Sequence, residues 1–207
     1  QEAVDNSIDE VLAGFCNKIN VIIHKDGSIT IEDNGRGIPV DIHPEEKKPA
    51  LELVMTTLHA GGKFDHKSYK ISGGLHGVGI SVTNALSKWL EVRVKRDNNI
   101  YHQRYEKGIK VSELRIIGKA NDTGTIIRFL PDNEIFENIN FDFEIINKKL
   151  KELAYLNAGI HISITDERTD VKEEYFFDGG IISFVKDLNK NKNILSEPIY
   201  LRKENSI

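Results

Sequence analysis

The sequence predicts an α+β fold: a two-layer sandwich of a mixed, largely antiparallel sheet with helices on one face. Three observations predict it. Short runs of alternating apolar residues are joined by turn dipeptides, as in Ile19 to Ile23, Asp26-Gly27 and Ile29 to Ile31. Helical periodicity brackets these runs at residues 2–15 and 141–157. The length of 207 residues fits one domain, or one domain with an added edge.

Residues 2–15 read as an amphipathic helix ended by Gly14. Val4, Ile8, Val11, Leu12 and Phe15 fall on one side. Glu2, Asn6, Asp9 and Ala13 fall within roughly a 60° arc on the other, at about 100° per residue. The hairpin of Ile19 to Ile31 follows. Asp33 continues the inward parity of Ile29 and Ile31, so a carboxylate points to the core side at a strand end. Asn34-Gly35-Arg36-Gly37-Ile38-Pro39 is a loop. Pro49 to Leu58 reads as a helix through Leu51, Val54, Met55 and Leu58. Residues 59–79 form a Gly-rich stretch, long enough to be a lid or a binding loop.

A helix over Ile80 to Lys88 leads into strands at Leu90 to Lys95, Ile100 to Glu106, Glu113 to Ile117 and Thr125 to Leu130, with a turn at Asn98-Asn99. Phe141 to Asn157 is a helix. Ile160 to Thr165 and Glu173 to Phe177 make a second hairpin, and Ile181 to Asn189 a last short helix. Residues 190–207 are polar and read as a boundary or the start of a further unit. No internal repeat or heptad array is present.

Charge and cysteine content narrow the function. A net charge of -4 argues against this segment being a main grip on DNA, which calls for a basic patch. The single Cys16 excludes an internal disulfide and a cysteine-based zinc site, and is expected to be a core thiol. No apolar run is long enough to span a bilayer. The chain opens inside a helix, so its natural N-terminus is expected upstream.

Gly73-Gly74-Leu75-His76-Gly77-Val78-Gly79 carries the strongest functional signal. Bare amides at a helix start make an anion site, and a polyphosphate is its natural occupant. A flexible linker is the alternative. No Lys-Ser or Lys-Thr follows, so this is not a Walker loop. Glu2 and Asn6 stand one helical turn apart: a glutamate can deprotonate water, and an amide oxygen can ligate Mg²⁺. The same pair could instead be a solvated helix face. Asp33 needs a donor, for which the adenine amine is one candidate and a turn with Asn34-Gly35 the other. Lys63 could pair with phosphate or simply face solvent. Thr125, in Thr123-Gly124-Thr125, could bridge a water to a ligand or serve only as a β-former.

Taken in order, these segments resemble the four boxes of the GHKL ATPases, the superfamily of gyrase, ninety-kilodalton heat-shock chaperones, histidine kinases and MutL repair proteins. Longer stretches are similar to the B subunits of bacterial type II topoisomerases, DNA gyrase and topoisomerase IV. They are Val4 to Glu10, Asp41 to Glu46, Leu58 to Phe64 and Ser72 to Gly79, and Phe176 to Ile181 and Leu188 to Lys192 lean toward gyrase.

The resemblance implies the Bergerat ATP-binding fold, ATP and Mg²⁺ as cofactors, and ATP hydrolysis that powers DNA supercoiling. It implies that Glu2 is the general base, that Asp5 helps organise the site, and that Asn6 binds Mg²⁺. Asp33 would accept from the adenine amine, with Thr125 sharing a water, and Gly37 and Ile38 would line the ring. Lys63, with Gly61 and Gly62, would close on the phosphates. The loop of Gly74, Leu75, His76, Gly77, Val78 and Gly79 would cradle them, and Tyr69 would touch the nucleoside. His76 is expected as a structural or phosphate-side contact, not a metal ligand. Glu10, Arg36, Pro39 and Arg96 would form the rim that takes aminocoumarin-type inhibitors.

Residues 1–180 would be the ATP-binding domain and 181–207 a helix plus the start of a transducer domain. The partners implied are a gyrase A subunit, DNA held by other domains, and a second copy in ATP-dependent dimerisation. A bacterial cytoplasm, or an organelle of bacterial ancestry, would be the compartment, with no membrane involved. Lacking the dimer-wrapping arm and the transducer's lysine, this segment is expected to stay monomeric, bind ATP and hydrolyse it poorly. A topoisomerase IV subunit, a histidine kinase, a chaperone or repair ATPase, and a non-catalytic nucleotide-binding module are the competing readings.

Overall fold

The computed structural model describes residues 1–58, 79–194 and 196–201. Helix α1 (Glu2–Leu12) leads into strands β1 (Lys18–Ile23) and β2 (Ile29–Asp33). Helices α2 (Ala50–Thr56) and α3 (Gly79–Ala85) follow, then β3 (Ser87–Arg96), β4 (Asn99–Glu106), β5 (Ile109–Lys110), β6 (Arg115–Lys119) and β7 (Gly124–Pro131). Helix α4 (Phe143–Leu156), strands β8 (His161–Asp166) and β9 (Val171–Phe176), and helix α5 (Gly180–Asn189) complete the order.

The strands form one nine-stranded sheet in the order β5-β4-β3-β7-β2-β1-β8-β9, with β6 also paired to β4. Among the described residues only the β1–β8 pairing is parallel, and the others are antiparallel. The expected mixed, largely antiparallel α+β fold is therefore the observed one.

Strict alternation builds the core. Ile19, Val21 and Ile23 of β1 stand beside Ile31 and Ile29 of β2 and beside Ile162 and Ile164 of β8. Leu90, Val92 and Val94 continue the same inner face on β3, with Ile127 on β7. All are buried, and each such side chain contributes about 1.5–3 kcal/mol of transfer free energy. Helix α4 packs on β8 and β9, while α1 and α2 meet α3. The opposite face carries ion pairs, among them Lys95–Glu32 and Arg104–Glu91. One apolar and one polar face is what period-two patterning dictates.

Local chemistry moves several boundaries. Helix α1 stops at Leu12, three residues short of the predicted end, and Gly14 follows at φ +81°. Leu12 and Phe15, assigned to its apolar side, are 49% and 52% exposed. The buried stripe is Ala3, Ser7 and Ile8, with Val4 and Val11 beside it. The β3–β4 turn sits at Asp97-Asn98, both at positive φ, one residue before the predicted pair. Helix α3 gives way to β3 at Ser87, where a β-bulge adjusts the register. Asp142 caps α4 by accepting from Ile145 N–H at 3.1 Å, so that helix starts after Phe141. Helix α5 is fixed to α4 by the Tyr155 hydroxyl, which donates to Asp187 at 2.9 Å.

Candidate functional site

Asp33 ends β2 on the inner face, where the sequence placed it, and is 8% exposed. It accepts three hydrogen bonds. The Ser7 hydroxyl donates to Oδ2 at 2.9 Å; Gly35 N–H and Thr125 N–H donate to Oδ1 at 2.9 and 3.2 Å. Helix α1, the loop after β2 and strand β7 thus converge on one carboxylate. Burial pushes its pKa up from 3.8, against the downward pull of Gly35, Ser7 and Thr125. A carboxylate has about four acceptor directions, so Oδ2 keeps capacity for one further donor. The turn reading and the ligand reading of Asp33 are therefore compatible: it closes the Gly35 turn and still has an oxygen to offer.

The backbone crowds around Asp33. Gly124 has φ +153°, and a Cβ there would collide with the Asp33 carbonyl oxygen. Gly37 has φ +78°, and its Cβ would lie 2.9 Å from the Lys95 carbonyl oxygen. Only glycine lets three backbone segments pack this closely. Thr125 Oγ1 accepts from Ile38 N–H at 3.3 Å, which leaves its own proton free to donate.

Helix α1 supplies the rest of the wall. Glu2, Asn6 and Glu10 recur every four residues and share one stripe. A Cβ on Gly79, at the start of α3, would collide with the Glu2 carboxylate, so that carboxylate lies against the end of the glycine run. Asn6 is exposed one turn further along. Glu10 accepts from Arg36 in a two-pronged contact, Nη2 to Oε1 at 2.8 Å and Nε to Oε2 at 3.1 Å, and also from Arg36 N–H at 3.0 Å. The Arg36 guanidinium lies 4.0 Å above the Phe15 ring, which explains why Phe15 is left out of the core. Arg96 Nη1 donates to the Gly37 carbonyl at 2.8 Å, and Pro39 is exposed beside it.

Glu10→Ala should lower the unfolding free energy by about 1–3 kcal/mol, because it removes three charge-assisted hydrogen bonds from the half-buried Arg36. Urea denaturation measures it.

Of the residues singled out from sequence, Glu2, Asn6, Glu10, Asp33, Arg36, Gly37, Ile38, Pro39, Gly79, Arg96 and Thr125 are placed by α1, the β2 loop, α3, the end of β3 and β7. Lys63, Tyr69, Gly74, Leu75, His76, Gly77 and Val78, with Gly61 and Gly62, lie outside the described residues. Ser7 was missed. Its signal was a hydroxyl on the buried stripe of α1, where packing alone calls for an apolar residue. For Mg²⁺, the donor types fit: Asn6 offers a hard amide oxygen to solvent one turn from the Glu2 carboxylate. Among the described residues no three His, Cys, Asp or Glu side chains cluster as a metal site, and no helix is long and apolar enough to cross a membrane.

Comparison with known proteins identifies the family. Residues 1–135 match the family of histidine kinase-, DNA gyrase B- and HSP90-like ATPases. The DNA gyrase B protein of Thermotoga maritima is 54% identical over 206 residues, which is 100% of this chain and 32% of that one. Those of Archaeoglobus fulgidus and Borreliella burgdorferi are 54% and 56% identical, each over 97% of this chain and 32% of their own length. This chain therefore spans about a third of the relatives it matches. The crystal structure of the 43K ATPase domain of Thermus thermophilus gyrase B, in complex with an aminocoumarin, superposes with a TM-score of 0.87. It is 40% identical and covers 99% of this chain and 52% of its own. The chain belongs to the histidine kinase-, DNA gyrase B- and HSP90-like ATPase family.

Proposed function

We propose that this chain binds and hydrolyses ATP as the ATPase domain of a DNA gyrase B protein, and that the whole enzyme, with a gyrase A partner, uses that energy to introduce negative supercoils. The observation that carries the reading is the buried Asp33 carboxylate with one acceptor direction left over. The adenine amine donates to that oxygen. The Thr125 proton, free because its oxygen already accepts from Ile38, reaches the ring through a water. Gly37 and Ile38 lie against the ring face.

At the other end of α1, Glu2 takes the proton from the attacking water, and the amide of Gly79 faces the phosphates. The Asn6 amide oxygen would hold Mg²⁺, which would supply positive charge to offset that of the phosphates. Gly74, Leu75, His76, Gly77, Val78, Lys63 and Tyr69 hold the phosphates and nucleoside, as the family resemblance implies. Glu10, Arg36, Pro39 and Arg96 form a rim that accepts an aminocoumarin. Residues 1–180 act as the nucleotide-binding unit. Dimerisation follows ATP binding in the whole protein, which works in the cytoplasm.

Asp33→Asn tests the reading and separates function from stability. The asparagine keeps acceptors for Gly35 and Thr125 but turns an amide donor toward the adenine amine. Affinity for a non-hydrolysable ATP analogue should fall about 10- to 100-fold, the worth of one charge-assisted hydrogen bond. Stability moves the other way. The folded chain holds the Asp33 proton more tightly than the unfolded chain does, so its stability falls as pH rises above 3.8 and through the raised value. Asparagine has no such penalty, so near neutral pH the variant should be at least as stable, with the advantage gone below 3.8. Calorimetry and thermal unfolding across pH read both. Unchanged nucleotide affinity would remove Asp33 from this role.

A further inference from the structure

The outer face of the sheet carries a basic row that the nucleotide site does not use. Arg93 on β3, His102 on β4 and Arg115 on β6 stand directly opposite one another on adjacent strands. Neighbours in such a row lie about 5 Å apart. Arg93 and Arg115 are exposed, and neither has an ion-pair partner among the described residues. Their neighbours on the same face are matched: Arg104 with Glu91 and Glu106, Lys95 with Glu32 and Asp122, Arg128 with Asp26.

Arg93 and Arg115 flank one strand about 10 Å apart, so their charges repel across His102. A chain of net charge -4 has carboxylates to spare, yet sets none between these two arginines. His102 lies between them with its Nδ1 buried and without a hydrogen-bond partner among the described residues, and its Nε2 is 4.0 Å from Glu91. Burial lowers its pKa; Glu91 opposes this, and Arg93, Arg115 and Arg104 add to it. The row therefore holds two guanidinium groups without ion-pair partners among the described residues, with an imidazole between them.

We infer that Arg93, His102 and Arg115 form a second oxyanion site, apart from the nucleotide pocket, that takes a phosphate group of a free polyphosphate or of a nucleic-acid backbone. A flat strand face lets a phosphate lie across β4 with a planar guanidinium fork on either side. The site stands on the outer face alone and does not depend on how the nucleotide pocket is read. It is also compatible with the negative chain as a whole, because the positive charge is local.

The test uses the whole chain, with Arg93→Gln, Arg115→Gln and the double variant, and circular dichroism to check the fold. The probes are a short fluorescein-labelled duplex DNA and inorganic pyrophosphate. The readouts are anisotropy against salt and the His102 ring titration by NMR, assigned with His102→Gln. In the wild type, a bound probe raises the His102 pKa; in the double variant it does not. Duplex affinity in the double variant falls about tenfold, and the salt slope drops by about two. The double Arg→Lys variant recovers part of both, as charge without the fork should. A His102 shift with duplex but not pyrophosphate assigns the site to a nucleic-acid backbone, and the reverse assigns it to free polyphosphate. The inference is overturned if neither probe moves His102, or if Lys47→Gln with Lys48→Gln on the loop before α2 weakens duplex binding equally.

Discussion

Replacing Glu2 with glutamine is expected to stop hydrolysis while nucleotide binding survives. The substitution keeps the size of the side chain and most of its hydrogen bonding, but an amide cannot take a proton from water. General-base catalysis by a positioned carboxylate is worth about 10²- to 10⁴-fold, and turnover should fall by that factor. The fold should barely notice. Glu2 is exposed in the first turn of α1, where an acidic residue adds about 0.3–1 kcal/mol through the helix dipole. Single-turnover phosphate release in the intact protein measures the chemistry, and calorimetry with the same analogue measures binding. Turnover that persists at the wild-type rate would show that another group activates the water.

Gly124→Ala should damage fold and site together, and more severely than its position in a strand suggests. Two costs add. The backbone is held at φ +153°, which an L side chain rarely adopts, and the new methyl would collide with the Asp33 carbonyl. Strain of this kind costs about 1–3 kcal/mol, and forced overpacking about as much again. The total, on the order of 3–5 kcal/mol, is a large part of a domain's stability. Relief can come only by moving β7 from β2, which pulls Thr125 N–H off Asp33 and Thr125 Oγ1 off Ile38. Urea unfolding should show the loss, and the surviving folded fraction should bind nucleotide weakly. An alanine variant as stable as the wild type would mean that β2 and β7 can separate without cost.

Much of this was readable in the residues, for definite reasons. Asp33 betrayed itself by parity: alternation demanded an apolar residue at the inner end of β2, and an acid stood there. Asp26-Gly27 announced its hairpin, with Ser28 N–H bound to Asp26 at 2.9 Å. Other features are set by distant partners and leave little local trace. Ser7 looks like a neutral helix residue until Asp33 is brought against it across 26 positions. Phe15 reads as core until Arg36, held by Glu10, supplies a cation for its exposed face. The two residues of β5 are too short for any periodic signal and exist because β4 offers a partner edge. The phosphate-side residues between 59 and 78 rest on the sequence pattern and the family resemblance alone.

The strand order also bears on how the chain folds. β1 and β2 come earliest in the chain among the described strands, yet they occupy the middle of the sheet. Their hairpin can close locally, but both flanks stay open until β7 arrives to pair Glu32 with Ile126, and β8 to lie parallel to β1 at His161. Such distant pairings require large loops to close before any contact repays them, which slows folding. During that wait the hairpin presents two unpaired hydrophobic edges, the condition under which chains associate wrongly. The corner at Asp33 and Thr125, proposed above to take the adenine, is itself one of these late pairings. Nucleotide can therefore select only chains that have already brought β7 home, and its presence during refolding should raise yield more than it raises rate.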